Sequence, residues 1–474
     1  MTDNYEAAIA GTGWGLWHYF LIILCGLISL AEASTSLTVP IVAPIIACDL
    51  KLSKDQAIMP IAISSLGMAI GAFVFGSISD TVGRKNLIPV TMGIVFCASA
   101  SLSFAQTNFL INLSVFVLGL GVAGNNTVLR VYLIECLPMR KRGTCLAIID
   151  MFWMIGYALA LGVSWALMPS VIRMLGKKFR PSSWRVLAAL YGMPSLVIAC
   201  MSGLLPPSPR HSIYRRRPGQ ALAVLRQMYA INNSKHADTY PKVLYENLGT
   251  NQQNAQASLQ ADNIVWNISV PATFSRVIKE VLPFAGLALW KTHVLQELEN
   301  DHIGSGNGTC SVNIQNVALG FLQSCDEINE ARFELLLLVS LGYVLGEILL
   351  IVGIDVVGRK PYLIFSALVG GAASIVLIVR MHHTIRLVLA SIFLAAYAIG
   401  VTTTCVLLLE NYPTALRGTM IGLTKILPHL TVFAMQLFLK TTCLSSIIVV
   451  SIILIGAAIV MLPVADLTKS PMKE

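Results

Sequence analysis

The chain has 474 residues, 55% of them hydrophobic and 12% charged, with a mean hydropathy of +0.73. A soluble domain carries about 25% charged residues, so this chain has too little polar surface to coat a soluble globule. The formal net charge of +9 would suit nucleic acid, but the Lys and Arg gather in short loops between apolar runs, the pattern of loops held on the cytosolic face of a membrane.

Taken in chain order, the acidic segment MTDNYEAAIAGTG opens the sequence; it has no small-residue cleavage site and is read as retained. Apolar runs long enough to cross a bilayer as helices fall at 17–45, 58–79, 86–105, 109–133, 144–168 and 184–205. Residues 206–273 are rich in Arg, Lys, Asn and Gln, and read as a partly disordered cytosolic connector. Further runs follow at 333–352, 361–380, 385–409, 418–440 and 444–463. The count is therefore six before the connector and five after it. Between them, 274–293 has an uncharged core only from Val281 to Trp290, and by hydropathy alone it is interfacial.

Two motifs each occur twice. Gly76-x3-Asp80-x2-Gly83-Arg84-Lys85 recurs as Asp355-x2-Gly358-Arg359-Lys360, and Glu135-x2-Pro138-x3-Arg142-Gly143 as Glu410-x2-Pro413-x3-Arg417-Gly418. Both pairs share one offset of 275 residues (355 − 80 and 410 − 135). Each is a charged turn at the end of an apolar run, where Gly permits a tight bend. The Asp, the Arg after it and the Glu ending the fourth run of the same half can pair as a latch on the cytosolic helix ends. Parallel repeats put both basic turns on one face, so an even number of crossings separates them and 274–293 must span. The loop 294–332 is acidic and carries the sequon at Asn307 beside Cys310 and Cys325, a candidate disulfide; both modifications need the extracytoplasmic side. The expected architecture is an all-α membrane protein of twelve spans, as two six-helix bundles, 1–205 and 274–474, with both termini cytosolic. Arg173, Lys177, Lys178 and Arg180 fall in a loop placed outside, against the positive-inside bias.

These paired turns resemble the major facilitator superfamily. MFWMIGYALALGVSWALMP (151–169) and SWRVLAALYGMPSLVIA (183–199) are similar to the fifth and sixth spans of the synaptic vesicle glycoprotein 2 group and its insect relatives, and Pro206-Pro207-Ser208-Pro209-Arg210 resembles a motif of sugar-porter-like members. The resemblance implies a transporter-like protein of vesicle or plasma membranes. Where many proton-coupled members carry Arg in the fourth span, this chain has Val115; the acid of the first span is present in type as Glu32.

Ionisable groups inside spans cost at least about 2.5 kcal/mol each at the bilayer centre, so they tend to face a cavity or a partner. Glu32, Trp165, Glu347, Lys425 and His429 are the cavity candidates; Lys425 and His429 share a face at i, i+4. Arg130, one turn from the end of its span, is expected to snorkel, with Asp150 as an available partner. Asn125 and Asn126 suit close helix packing with amide contacts between helices. No nucleophile–base pairing, phosphate loop, metal spacing or cofactor motif emerges, which argues against an enzyme. The expected function is secondary transport of a small organic ion or zwitterion, with a coupling proton or ion as a candidate second partner. The alternative is a non-transporting vesicle-membrane protein that acts in trafficking or as a receptor.

Overall fold

In the computed structural model, residues 2–174, 184–241, 322–324, 327–328, 330–376 and 383–438 are described. A short helix α1 (Thr2–Gly11) precedes the first span, which is broken into α2 (Leu16–Ser36) and α3 (Thr38–Asp49). The break falls before Pro40, which cannot donate to the Ser36 carbonyl and crowds it. Then come α4 (Lys54–Val82), α5 (Arg84–Phe104), α6 (Asn108–Glu135), α7 (Arg142–Met174) and α8 (Trp184–Met201). Helices α9 (Pro209–Tyr214) and α10 (Pro218–Asn233) follow, then a two-stranded hairpin, β1 (Leu322–Ser324) with β2 (Glu327–Ile328). The second half holds α11 (Glu330–Val357), α12 (Arg359–Val376), α13 (His383–Asn411) and α14 (Arg417–Phe438).

The membrane reading rests on eight segments long and apolar enough to cross, from Leu16–Asp49 to Leu387–Asn411. Helices α12 and α14 occupy two further predicted runs. Large apolar side chains such as Phe104, Phe109 and Val352 point outward, each more than three-quarters exposed, as a lipid-facing surface requires. The expected spans at 274–293 and 444–463 lie outside the described residues, as do Asn307, Cys310 and Cys325.

Helices approach closely where glycine removes the side chain. A Cβ on Gly71 would sit 2.1 Å from the Leu120 carbonyl oxygen, and one on Gly346 2.5 Å from that of Ala395. The turns between α4 and α5 and between α11 and α12 are single glycines, Gly83 at φ 104° and Gly358 at φ 112°, a backbone state other residues rarely adopt. Two seams join the halves, α4 against α14 and α7 against α11.

The connector differs from expectation over 206–241, where α9 and α10 are ordered. Ala221, Val224, Leu225 and Met228 are buried at helical spacing beneath the first half, a short apolar stripe hidden in a polar composition. Helix α1 is also tucked in, with Tyr5, Ala8 and Ile9 buried.

Candidate functional site

The repeated motifs meet at one end of the bundle. Asp80, near the end of α4, accepts hydrogen bonds from Gly418 N (3.1 Å), Thr419 N (2.8 Å) and Thr419 Oγ1 (2.9 Å) at the start of α14. Asp355, near the end of α11, accepts from Gly143 N (3.3 Å), Thr144 N (2.8 Å) and Thr144 Oγ1 (2.6 Å) at the start of α7. The first N–H groups of a helix have no partner within it and carry partial positive charge. Each half therefore supplies the carboxylate that caps a helix of the other.

Inside each half the expected cluster is in place. Arg84 lies 3.0 Å from Asp80 and 3.2 Å from Glu135; Arg359 lies 2.9 Å from Asp355 and 3.0 Å from Glu410. These arginines are buried, where an unpaired charge would cost several kcal/mol. The cluster also reaches between halves, which the motifs alone do not disclose: Arg417 is 3.1 Å from Glu135, and Arg84 donates to the Thr414 carbonyl at 2.7 Å. Gly76 lies where α4 touches α14, and a Cβ there would sit 2.3 Å from the Gly418 carbonyl oxygen. Lys85 and Lys360 are half-buried beside the cluster.

The copies diverge at the remaining arginine. Arg142 pairs with Glu6 of α1 at 2.6 Å, and Glu6 is also 3.0 Å from Arg210 at the start of α9. Arg210 Nε in turn donates to Thr414 Oγ1 at 3.1 Å. Glu6 thus ties the N-terminal helix and the connector to the latch. Ser208 donates to Glu135 at 2.7 Å and accepts from His211 N.

A second polar network lies deep in the bundle. Glu32 of α2 accepts from Asn125 Nδ2 (2.9 Å) and Asn126 Nδ2 (2.6 Å) on α6. The Asn126 carbonyl oxygen accepts from Lys425 Nζ of α14. Arg130 pairs with Asp150 of α7 and is buried; it does not snorkel, because the acid one helix away holds it inside. Asp150 Oδ2 is 2.8 Å from the Thr402 hydroxyl of α13, itself 2.8 Å from Glu347 Oε1 of α11. Carboxylates, cations, amides and a hydroxyl thus connect six helices drawn from both halves.

The cavity candidates separate accordingly. Glu32, Glu347 and Lys425 join this network, and half-buried His429 lies one turn further along α14. Trp165 does not join it; it packs against an apolar cluster confined mainly to the first half. The aromatic groups nearest the acids are others: Trp153 stacks on Tyr157 at 6.0 Å, Tyr343 approaches Tyr397 at 6.1 Å, and all four belong to one cluster spanning α7, α11 and α13.

The family described as "Sugar (and other) transporter" matches residues 30–286, more than half of the sequence. The chain belongs to the sugar (and other) transporter family. It is similar to the synaptic vesicle 2-related protein of Rattus norvegicus, 24% identical over 449 residues that cover 93% of this chain and 77% of that one. It is 27% identical over 271 residues to synaptic vesicle glycoprotein 2A of Homo sapiens, covering 56% of this chain and 36% of that one. In fold it is similar to the major facilitator superfamily proton:xylose symporter XylE bound to 6-bromo-6-deoxy-D-glucose, with a TM-score of 0.68 and 17% identity over 95% of this chain and 96% of that one. The partially occluded, inward-open xylose transporter XylE from E. coli gives 0.65 and 16% over 94% and 99%. The chain is thus a multi-pass membrane protein with the major facilitator fold.

Within this transporter frame, sequence reasoning missed Glu6, Arg210, Thr402 and the two capping threonines. Thr144 and Thr419 carried a usable signal, since they too stand 275 residues apart (419 − 144). Glu6 and Thr402 carried none, because their roles depend on residues distant in the chain.

Proposed function

We propose that this member of the sugar (and other) transporter family carries a small organic ion or zwitterion by alternating access between its halves, 1–205 and 274–474. The single observation supporting this is the buried polar network. Charge inside a bilayer is costly and is retained where it faces a solute path or a partner, and here it runs between the halves, where rocking would expose it. Glu32, Asp150 and Glu347 supply acid, Arg130 and Lys425 supply cation, and this mixture suits a solute bearing both signs better than a plain sugar. The latched end is the cytosolic end in this reading. Disulfide-bonded Cys48, at the far end of the first span, supports that orientation, since disulfides form in oxidising compartments. Vesicle or plasma membrane is the corresponding location.

The test compares the small-molecule content of sealed vesicles from cells with and without the protein, then repeats it with Lys425→Met and Glu32→Gln. One solute whose distribution shifts with the protein, and returns towards baseline in both variants, is expected. A protein that shifts no solute in either direction would favour the receptor or trafficking role instead.

A further inference from the structure

The seam between α7 and α11 holds two acids and one hydroxyl whose hydrogen atoms do not balance. The Thr402 hydroxyl lies 2.8 Å from Asp150 Oδ2 and 2.8 Å from Glu347 Oε1, each the length of a full O–H···O bond. A hydroxyl has one proton and donates once, while an ionised carboxylate only accepts. If both acids were ionised, one of the two contacts would bring oxygen lone pairs together without a hydrogen between them. One acid must therefore donate.

The surroundings decide which. Asp150 is paired with Arg130 and is the ionised member. Glu347 is fully buried, and its Oε2 has no hydrogen-bond partner among the described residues. As an anion it would bury a charge beside that of Asp150, with Arg130 already engaged. As an acid it donates from Oε1 to Thr402, which donates to Asp150, and the chain of hydrogens is complete. The other ionisable groups around it are Tyr343 on its own helix, Tyr397 and Cys405 on α13, Lys425 on α14 and Glu32 on α2; of these, Lys425 donates to Asn126 and Glu32 accepts from Asn125 and Asn126.

We propose that Glu347, Thr402 and Asp150 form a proton-binding site on the seam between the halves, with the proton on Glu347 while the latch is closed. Spreading α7 away from α11 and α13 takes Asp150 from Thr402 and admits water to Glu347, which then releases its proton to solvent as H⁺. The release links protonation to latch opening and needs no other reactant. As a coupling device it rests on the transport reading above; as a proton site it stands without any solute.

Infrared difference spectra of the full chain in lipid vesicles, recorded across a pH jump, test it with the proton itself as the probe. At neutral pH the wild type should show the carbonyl stretch of a protonated, singly hydrogen-bonded carboxyl. Glu347→Gln should abolish that band and Glu32→Gln should leave it. Thr402→Val, which keeps the side-chain shape, should move it to higher frequency by removing the acceptor. A wild type without the band, a band that survives Glu347→Gln, or one unmoved by Thr402→Val would overturn the proposal; the last arm decides the matter if Glu347→Gln does not fold. A band that behaves as expected in a protein that shifts no solute would leave the proton site standing and remove the transport reading alone.

Discussion

Asp150 of α7 and Lys425 of α14 occupy the same position in the two repeats, 275 residues apart (425 − 150), and carry opposite charges. Asp150 finds its cation, Arg130, inside its own half. The position equivalent to Arg130 is Cys405 (405 − 130 = 275), so the second repeat lacks the matching ion pair. Lys425 instead reaches to Asn126 of the first half, whose amide also serves Glu32. A symmetric helical frame therefore encloses an asymmetric distribution of charge.

The Arg130–Asp150 pair is expected to behave as a unit. Removing one partner of a buried pair leaves an uncompensated charge and costs about 3–5 kcal/mol. Arg130→Gln alone should lower the thermal midpoint of the purified protein strongly, while Arg130→Gln with Asp150→Asn should recover more than half of the loss. Thermal unfolding of the four members of the cycle gives the coupling. Strictly additive effects would mean that the two side chains do not hold one another.

The α4–α14 seam closes on glycine at Gly422, where a Cβ would lie 2.3 Å from the Ala72 carbonyl oxygen. Overpacking of this kind costs about 1–3 kcal/mol, and every 1.4 kcal/mol is about tenfold in an equilibrium. Gly422→Ala should therefore shift the protein towards the spread state by roughly tenfold. Cys145, buried one residue after Thr144 at the other seam, is the reporter. Its alkylation by a polar thiol reagent, followed by peptide mass spectrometry, should rise by a similar factor, whereas unchanged labelling would mean that this contact does not limit opening.

Much of this was legible in the residues, for identifiable reasons. Spans and their number follow from apolar runs and one repeat offset, because a bilayer imposes length and backbone satisfaction on every crossing. Asp80, Arg84 and Glu135 were legible as a cluster because they recur as Asp355, Arg359 and Glu410. Their cross-half bonds were not, since a repeat specifies what each half contains and not how two halves face each other. Trp165 went the other way: an aromatic in a span looks the same in sequence whether it lines a path or packs within one half. The ordered connector escaped notice because its buried stripe, Ala221 to Met228, is only two turns long.

Glu6 makes a further prediction about the N-terminal helix. It bonds both Arg142 and Arg210, and α1 is otherwise held by Tyr5 Oη donating to the Glu135 carbonyl at 2.7 Å and Tyr240 Oη donating to that of Ala8 at 2.8 Å. A hydrogen bond to a charged group contributes about 1.5–3 kcal/mol. Glu6→Gln should therefore speed amide hydrogen exchange in residues 2–11 by roughly tenfold or more, with a smaller rise in α9. Exchange in α5, which does not touch α1, should not change. Equal protection of α1 in variant and wild type would show that the tyrosine contacts alone retain the helix.

His211 gives the latch a dependence on pH. Its ring lies against Gly83, with Nε2 3.4 Å from the Asp80 carbonyl oxygen, on the connector side of the cluster and outside the spans. Burial, and then the nearby Arg84 charge, push its pKa down from 6.5 to about 4, against smaller raising effects from Glu135 and the Asp80 carbonyl; Arg215 lowers it slightly further. Between those two values the unfolded chain binds a proton that the folded chain refuses, so folding stability rises with pH across the interval. The contribution is fully present above about pH 6.5 and is lost as the pH falls towards about 4. His211→Gln cannot take up that proton. The difference in thermal midpoint between wild type and His211→Gln, measured from pH 7 down to pH 4.5, should move steadily against the wild type, which isolates this group from the carboxylates that titrate in both proteins. Parallel midpoints across the range would mean that His211 is protonated as readily in the folded protein as in the unfolded chain, and that burial against the latch does not govern it.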